Sequence, residues 1–195
     1  LGAGSGAIIV TLLAERSEAT GVTVDISQAA LAVAMENARQ HGVADRLTAV
    51  AGSWFDPVDG SFDLIVSNPP YIPAADIAGL EPEVRNFDPH VALAGGDDGL
   101  EAYRAIAPGG RGYLKAQGLV MVEIGAGQAA DVERIFAGLG YSAAGRWTDL
   151  GGHLRVDLLD RRRLLVEDAV HRLDAGLGGE RCAPRRRLIQ DAAER

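Results

Sequence analysis

The residues of this chain with the clearest chemical potential are the four at positions 68–71, Asn68-Pro69-Pro70-Tyr71. The Asn68 side chain offers a carbonyl acceptor and two amide donors. The residue before a proline is held extended, and the proline ring fixes φ, so the Pro69 carbonyl oxygen has a set direction. Together the Asn68 and Pro69 carbonyl oxygens can accept both hydrogens of a planar NH2 group, on which Tyr71 can stack. A Pro-Pro turn with a capping asparagine is the simpler alternative.

A short apolar strand precedes this corner. Leu64, Ile65 and Val66 form a partly β-branched run that is typical of a strand buried on both faces. Pro69 ends the strand, because proline cannot donate to a strand ladder. The residues at 68–71 are therefore expected just past the carboxyl end of a core strand, where open α/β sheets bind their ligands.

A second candidate site lies at residues 1–6, which read Leu-Gly-Ala-Gly-Ser-Gly, with an apolar helical pattern over 7–14. Gly2 and Gly4 permit backbone conformations that are barred to other residues and let a ligand approach the backbone closely. The specificity of this motif is low, because Gly2, Gly4 and Ala7 also satisfy the looser dinucleotide fingerprint.

Asp25 ends the next predicted strand, Val22–Ile26. An acid at this place can accept hydrogen bonds from two ribose hydroxyl groups. Alternatively, Asp25 or Ser27 only caps the helix that is predicted over Ser27–His41. The predicted packing positions of that helix are Ala30, Leu31, Val33 and Ala34.

A third predicted strand, 47–51, leads to Ser53 and Trp54. A side chain at this position lies beside the ligand crevice of such a sheet. Trp54 is interpreted either as a cover for an adenine face or as a residue that packs below a loop, and its position does not separate the two.

Strands alternate with helices along the rest of the chain, which indicates an α/β fold with a doubly wound, mostly parallel sheet. The Pro- and acid-rich segment 72–99 has little periodicity and is expected to be an irregular lid or binding loop. An antiparallel pair, 141–147 and 154–159, is expected to close the sheet. Between them the patterns predict a helix over 100–106 that breaks at 107–111, a strand over 119–124 and a helix over 129–139.

Composition limits the class of protein. The 195 residues are 47% hydrophobic, enough for one domain with a core, and no apolar run reaches the length of a membrane span. The net charge of −8 argues against a phosphate-rich partner. The single cysteine, Cys182, fits a reducing compartment, and four scattered histidines predict no metal site. We expect a cytoplasmic monomer with an Arg-rich tail, 162–195, that is partly helical or disordered.

Three features coincide in this sequence: the glycine turn at 2–6, Asp25 at a strand end, and the corner at 68–71. In this the chain resembles the class I S-adenosylmethionine (SAM)-dependent methyltransferases that modify planar amino groups. Within them it is similar to the peptide chain release factor glutamine methyltransferases, the HemK/PrmC family. The family-specific parts are Val66–Pro73, Glu83–Arg85, Ala94–Leu100 and Glu123–Gly125.

The resemblance implies a Rossmann-like domain over residues 1–161. It also implies methyl transfer from SAM to the side-chain amide nitrogen of the glutamine in the Gly-Gly-Gln motif of class I release factors. The implied cofactor-binding residues are Gly2, Ala3, Gly4, Ser5, Gly6, Asp25, Ser53, Trp54 and Asn68. The implied catalytic residues are Asn68, Pro69 and Tyr71, which bind the substrate amide together with Pro70.

Two departures from the family pattern affect these expectations. The family has an acid just before Leu1 and an N-terminal helical domain, so the chain is interpreted as N-terminally truncated, with part of its first strand missing. Ser53 stands where an Asp is common, and its hydroxyl is a weaker acceptor for an adenine amino group.

Three other functions remain open at this stage. The Asn-Pro-Pro-Tyr motif is shared with adenine-N6 DNA and RNA methyltransferases. A nicotinamide-binding oxidoreductase would fit the glycine turn but would leave residues 68–71 without a role. An inactive fragment that only binds partners is the third possibility.

Overall fold

The computed structural model describes residues 1–149 and 151–160. Within them the chain forms an α/β fold in which helices cover a twisted set of strands. The strands are β1 (Gly21–Asp25), β2 (Leu47–Ala51), β3 (Phe62–Ser67), β4 (Leu114–Glu123), β5 (Ser142–Thr148) and β6 (Leu154–Asp160). The helices are α1 (Ala7–Glu15), α2 (Gln28–Gln40), α3 (Pro82–Phe87), α4 (His90–Leu93), α5 (Glu101–Tyr113) and α6 (Ala129–Ala137), with 3-10 turns at Ala44–Arg46 and Ala74–Gly79. The Arg-rich tail predicted at 162–195 lies outside the described residues.

The strands form two hydrogen-bonded groups. β1 and β2 pair in parallel, with Gly21 opposite Leu47 and Asp25 opposite Ala51. The second group has the order β3-β4-β6-β5, in which β3 and β4 are parallel and β6 is antiparallel to both of its neighbours. The predicted α/β fold with an antiparallel closing pair is confirmed.

Residues 1–3 lie between the two groups and connect them. The Leu1 nitrogen donates to the Val66 carbonyl oxygen (2.7 Å), and the Ser67 hydroxyl donates to the Leu1 carbonyl oxygen (3.0 Å). On the other side, the Ala3 N–H donates to the Val24 carbonyl oxygen (3.0 Å). Strands β1 and β3 are therefore held on either side of residues 1–3, so their carboxyl ends lie at one edge.

The main core lies between the second group of strands and helices α5 and α6. Val120 and Val122 of β4 are fully buried beneath Ile106 of α5 and Phe136 of α6. A second cluster joins α1 and α2 to the first group, with Leu13 and Ala38 at its centre. Burying side chains of this size is worth about 1.5–3 kcal/mol each, so the core holds the strand ends in place.

The predicted helix break at 107–111 is wrong, because α5 continues to Tyr113. Pro108 is exposed, so the carbonyl group that loses its helical partner can bond to water. Gly109 lies so close to the ring of Phe55 that a Cβ atom would clash with it. Packing against Phe55 thus outweighs the poor helical propensity of this stretch.

Two further sequence predictions need correction. Val33 is 50% exposed and does not pack into the core, while the other positions predicted with it are buried or half-buried. The segment 72–99 is not irregular throughout, because it contains α3, α4 and a 3-10 turn. These helices have four to six residues, too short to show a clear hydrophobic period.

The burial of one carboxylate predicts how the stability of the fold depends on pH. Asp157 on β6 is fully buried, neither of its side-chain oxygens has a hydrogen bond among the described residues, and Arg146 Nε lies 3.7 Å from Oδ1. Burial, reinforced by the charge of Glu133, raises the pKa of Asp157 to about 6. Because the folded-state pKa lies above the unfolded value, the folded state loses stability as the pH rises through this range.

We therefore expect Asp157→Asn to raise the free energy of unfolding by about 2 kcal/mol above about pH 7 and to have little effect below about pH 4. Urea denaturation of both proteins across this pH range measures the difference. Equal stabilisation at both ends would show that the carboxylate charge is not the cause.

Candidate functional site

The first part of the candidate site along the chain is the glycine turn at residues 2–6. Gly2, Gly4 and Gly6 have φ values of 66°, 52° and 79°, in the left-handed region that favours glycine. A Cβ atom on Gly6 would lie 2.7 Å from the Cβ of Ala34, so this glycine also lets α1 approach α2. Apart from Gly4 and its chain neighbours, no atom of the described residues lies within 4 Å of the place where Gly4 would carry a Cβ, so the turn is open to them on that side.

Asp25 holds this turn in place. Its Oδ2 accepts the Gly4 N–H (2.9 Å), and its Oδ1 accepts the Ser27 N–H (2.8 Å). Ser27 is the N-cap of α2 and accepts from the Ala30 N–H (3.2 Å), so the capping interpretation is confirmed for Ser27. Since a carboxylate has about four lone-pair sites, both oxygens of Asp25 can accept another donor.

The loop after β2 lies beside Asp25. The Gly52 N–H donates to the Asp25 carbonyl oxygen (3.0 Å), and Ser53, which follows, is exposed. Trp54 is half-buried and packs against the main core. Its φ of 45° is the only positive value among the non-glycine residues that the structure describes. Such backbone strain is concentrated at functional sites, but the packing of Trp54 equally fits the alternative of a residue below a loop.

The corner at 68–71 meets the glycine turn. A Cβ atom on Gly2 would lie 3.9 Å from the Asn68 carbonyl oxygen. Asn68 is exposed, and the structure shows no hydrogen bond from its side-chain amide to another described residue. Pro69 is buried, with less than 2% of its surface exposed, whereas Pro70 and Tyr71 are half-buried. The corner therefore combines a fixed backbone with a free polar side chain.

Tyr71 contacts the end of the neighbouring strand. Its hydroxyl donates to Glu123 Oε1 at 3.4 Å. Burial, with the charge of Glu123 next in size, raises the pKa of Tyr71, and burial also raises the pKa of Glu123. Tyr71 is therefore a neutral hydrogen-bond donor near pH 7. The Glu123 contact restrains the ring beside the corner.

Gln128, which the sequence analysis did not single out, joins three segments of the site. Its Nε2 donates to the carbonyl oxygens of Tyr71 (2.9 Å) and Gly99 (3.4 Å). Its Oε1 accepts the Gly125 N–H (3.0 Å). Gly99 has a φ of 76°, and a Cβ atom there would clash with the Tyr71 carbonyl oxygen. The signal that was available is the motif Glu123–Gly125, which ends three residues before Gln128.

Gln128→Ala is expected to lower the free energy of unfolding by about 2–3 kcal/mol, because it leaves two part-buried carbonyl groups and one N–H without their partner. Gln128→Glu keeps the acceptor but replaces the donor with a carboxylate oxygen that faces two carbonyl oxygens, so we expect a loss at least as large. Chemical denaturation measures all three proteins. Gln40→Ala on the exposed face of α2 is the matched control, and an equal loss in that variant would contradict the role of Gln128.

The structure thus brings all the predicted site residues to one edge, at the carboxyl ends of β1, β2 and β3. Hydrogen bonds link the glycine turn to Asp25, and Asp25 to the loop that carries Ser53 and Trp54. Gly2 lies beside the Asn68 backbone carbonyl, which places the turn next to the corner. No group of His, Cys, Asp and Glu in the described part of the chain is arranged to hold a metal ion.

The sequence and the fold match known methyltransferases. The family model described as methyltransferase small domain matches residues 1–79. The chain is 49% identical to the release factor glutamine methyltransferase of Cereibacter sphaeroides over 156 residues, which is 80% of this chain and 56% of that protein. It is 47% identical to the protein of the same name from Agrobacterium fabrum, over 80% of this chain and 54% of that protein. The chain therefore spans about half the length of the curated relatives it matches.

Among solved structures, the ribosomal protein L11 methylase from Lactobacillus delbrueckii subsp. bulgaricus has a TM-score of 0.61. The match covers 83% of this chain and 67% of that protein at 21% identity, so it shows the fold. The glycine turn, Asp25 and the corner at 68–71 lie together on this fold. The chain is therefore a homologue of the release factor glutamine methyltransferases, with the fold of the class I SAM-dependent methyltransferases.

Proposed function

We propose that this chain transfers a methyl group from SAM to the side-chain amide nitrogen of the glutamine in the Gly-Gly-Gln motif of class I peptide chain release factors. The observation that carries the proposal is that the open glycine turn lies beside the backbone of Asn68, whose side-chain amide is exposed and has no hydrogen bond to another described residue. A donor and an acceptor of a methyl group would meet between the turn and this side chain.

The proposed cofactor site uses four features. Residues Gly2 to Gly6 pass around the methionine part of SAM, and the open side of Gly4 leaves room for it. The Asp25 carboxylate accepts hydrogen bonds from the ribose hydroxyls with the lone pairs that are not used by the Gly4 and Ser27 amides. Ser53 and Trp54 lie at the adenine, where the serine hydroxyl accepts from the amino group. SAM supplies an electrophilic methyl group on its sulfonium sulfur.

The chain's own residues position the acceptor nitrogen. An amide nitrogen is a poor nucleophile, because its lone pair is delocalised. Acceptors at the Asn68 side chain and the Pro69 carbonyl hold the two amide hydrogens, which directs the nitrogen toward the methyl group. Methyl transfer would require the reacting atoms to approach to about 3–3.5 Å.

Electrostatics favours the transition state at this corner. The nitrogen gains positive charge as the new bond forms, and the two carbonyl oxygens face that charge. In a site from which the bound cofactor and substrate exclude water, such an interaction would be stronger. No strong general base is needed, because the nitrogen becomes acidic once it is alkylated.

The partner and setting follow from this function. Its substrate is a protein of the translation machinery, so we place the chain in the cytoplasm as a monomer with a catalytic domain at 1–161. In the described part of the chain, no helix is long and apolar enough to cross a membrane. The net charge of −8 disfavours the alternative adenine-N6 substrates, whose phosphates would be repelled.

Transfer of tritium from labelled SAM tests the proposal. The chain is incubated separately with a release factor that contains Gly-Gly-Gln, with DNA and with RNA, and mass spectrometry locates the added methyl group. We expect label on the glutamine of the release factor. Label on nucleic acid only would overturn the proposal, and calorimetric binding of NAD without SAM would replace it with a redox function.

A further inference from the structure

The segment that follows the corner carries large apolar side chains that the fold leaves uncovered. Phe87 at the end of α3 is 83% exposed, and Val91 on α4 is 63% exposed. Every residue from 85 to 92 is exposed. Phe87 and Val91, four residues apart in the chain, are together what we call the apolar patch. Exposed apolar groups of this kind mark interaction sites when they are grouped.

The apolar patch is tied directly to the candidate site. The Ile72 N–H donates to the Leu93 carbonyl oxygen (3.0 Å), and the Gly95 N–H donates to the Ile72 carbonyl oxygen (2.8 Å). Ile72 directly follows Tyr71 of the corner, while Leu93 ends α4. A polypeptide whose side chain reaches Asn68 would therefore pass close to this segment.

The charge around the apolar patch selects the kind of partner. Residues 72–99 contain six carboxylates and one arginine. Five of these carboxylates form no ion pair with any residue that the structure describes, and they belong to Asp76, Glu81, Glu83, Asp88 and Asp97. Nucleic acid is negatively charged, and a second copy of this chain has a net charge of −8. Either partner would therefore bring negative charge to an acidic surface, which is unfavourable.

We propose that the apolar patch is a docking surface for a cationic polypeptide, namely the part of the protein substrate that flanks the accepted glutamine. Phe87 and Val91 bury apolar side chains of that polypeptide, and the unpaired carboxylates of the segment 72–99 pair with its Lys and Arg residues. This inference rests on the proposed function, because it concerns the substrate of the same site.

Steady-state kinetics with two substrates tests the inference. One substrate is an intact Gly-Gly-Gln release factor, and the other is a short Gly-Gly-Gln peptide that lacks the flanking surface. We expect Phe87→Ser with Val91→Ser to raise KM for the intact protein about tenfold, and to leave kcat and the kinetics of the peptide unchanged. Val33→Ser, at another half-exposed valine on α2, is the matched control and should change neither KM.

An unchanged KM for the intact protein, or an equal rise for the peptide, would overturn the inference. Failure of the unmodified chain to label either substrate would instead count against the proposed function. In that event, binding of the release factor to the Asn68→Ala variant is measured with and without the patch substitutions. Docking is supported if the patch substitutions weaken release factor binding and if added salt weakens the binding of the variant without them. Equal binding with and without the patch substitutions overturns the inference. A dimer that the patch substitutions dissociate, without a change in release factor binding, would assign the patch to a second copy and overturn the inference.

Discussion

Replacement of Asn68 by alanine is expected to lower kcat for methyl transfer about 100-fold to 1,000-fold, while the Kd for SAM stays within about twofold. The Asn68 amide is exposed and has no hydrogen bond within the described residues, so its removal leaves the fold intact. It is also the side-chain acceptor that we propose for the substrate NH2 group. Losing it removes both the orientation of the nitrogen and an interaction that strengthens in the transition state.

Single-turnover kinetics with saturating SAM, together with calorimetric titration of SAM, separates these effects. Asn86→Ala on α3 is the matched control, because Asn86 is also exposed but is not part of the corner, and it should leave kcat for the short peptide unchanged. Equal losses of kcat and of SAM affinity in Asn68→Ala would mean that Asn68 supports the cofactor site and does not position the substrate.

Replacement of Asp25 by alanine is expected to raise the Kd for SAM about 100-fold, with a small effect on kcat at saturating SAM. Two interactions are lost at once. The carboxylate no longer accepts from the ribose hydroxyls, and the Gly4 N–H loses the partner that fixes the glycine turn. Hydrogen bonds to a charged group are worth about 1.5–3 kcal/mol each, which gives the expected magnitude.

The neighbouring cap provides a control for this variant. Ser27→Ala removes the side chain that caps α2 and is expected to cost about 1 kcal/mol of stability without changing SAM binding. Calorimetric titration and thermal denaturation are carried out on both variants. If Asp25→Ala lowers stability but leaves the Kd for SAM unchanged, Asp25 is a structural residue that only holds the Ser27 and Gly4 amides.

The main parts of the site could be predicted from the sequence because each is encoded by a short local pattern. Glycine at positions 2, 4 and 6 indicates left-handed backbone, and all three have positive φ. Asp25 follows a β-branched strand, and the prolines at 69 and 70 end another. The change from apolar to polar residues predicted where these strands end. Because ligands bind at the carboxyl ends of parallel strands, the common location of the site residues could also be predicted.

The tertiary structure alone decided how distant segments are matched to one another. Gln128 acts through the carbonyl groups of Tyr71 and Gly99, which lie 57 and 29 residues away from it in the chain. Helix α5 continues past Pro108 because Phe55 packs on Gly109, and Asp157 is buried because β6 lies between two strands. Backbone conformation depends on adjacent residues and can therefore be predicted from the sequence. Packing, burial and the partners of polar groups depend on residues brought together only when the chain folds.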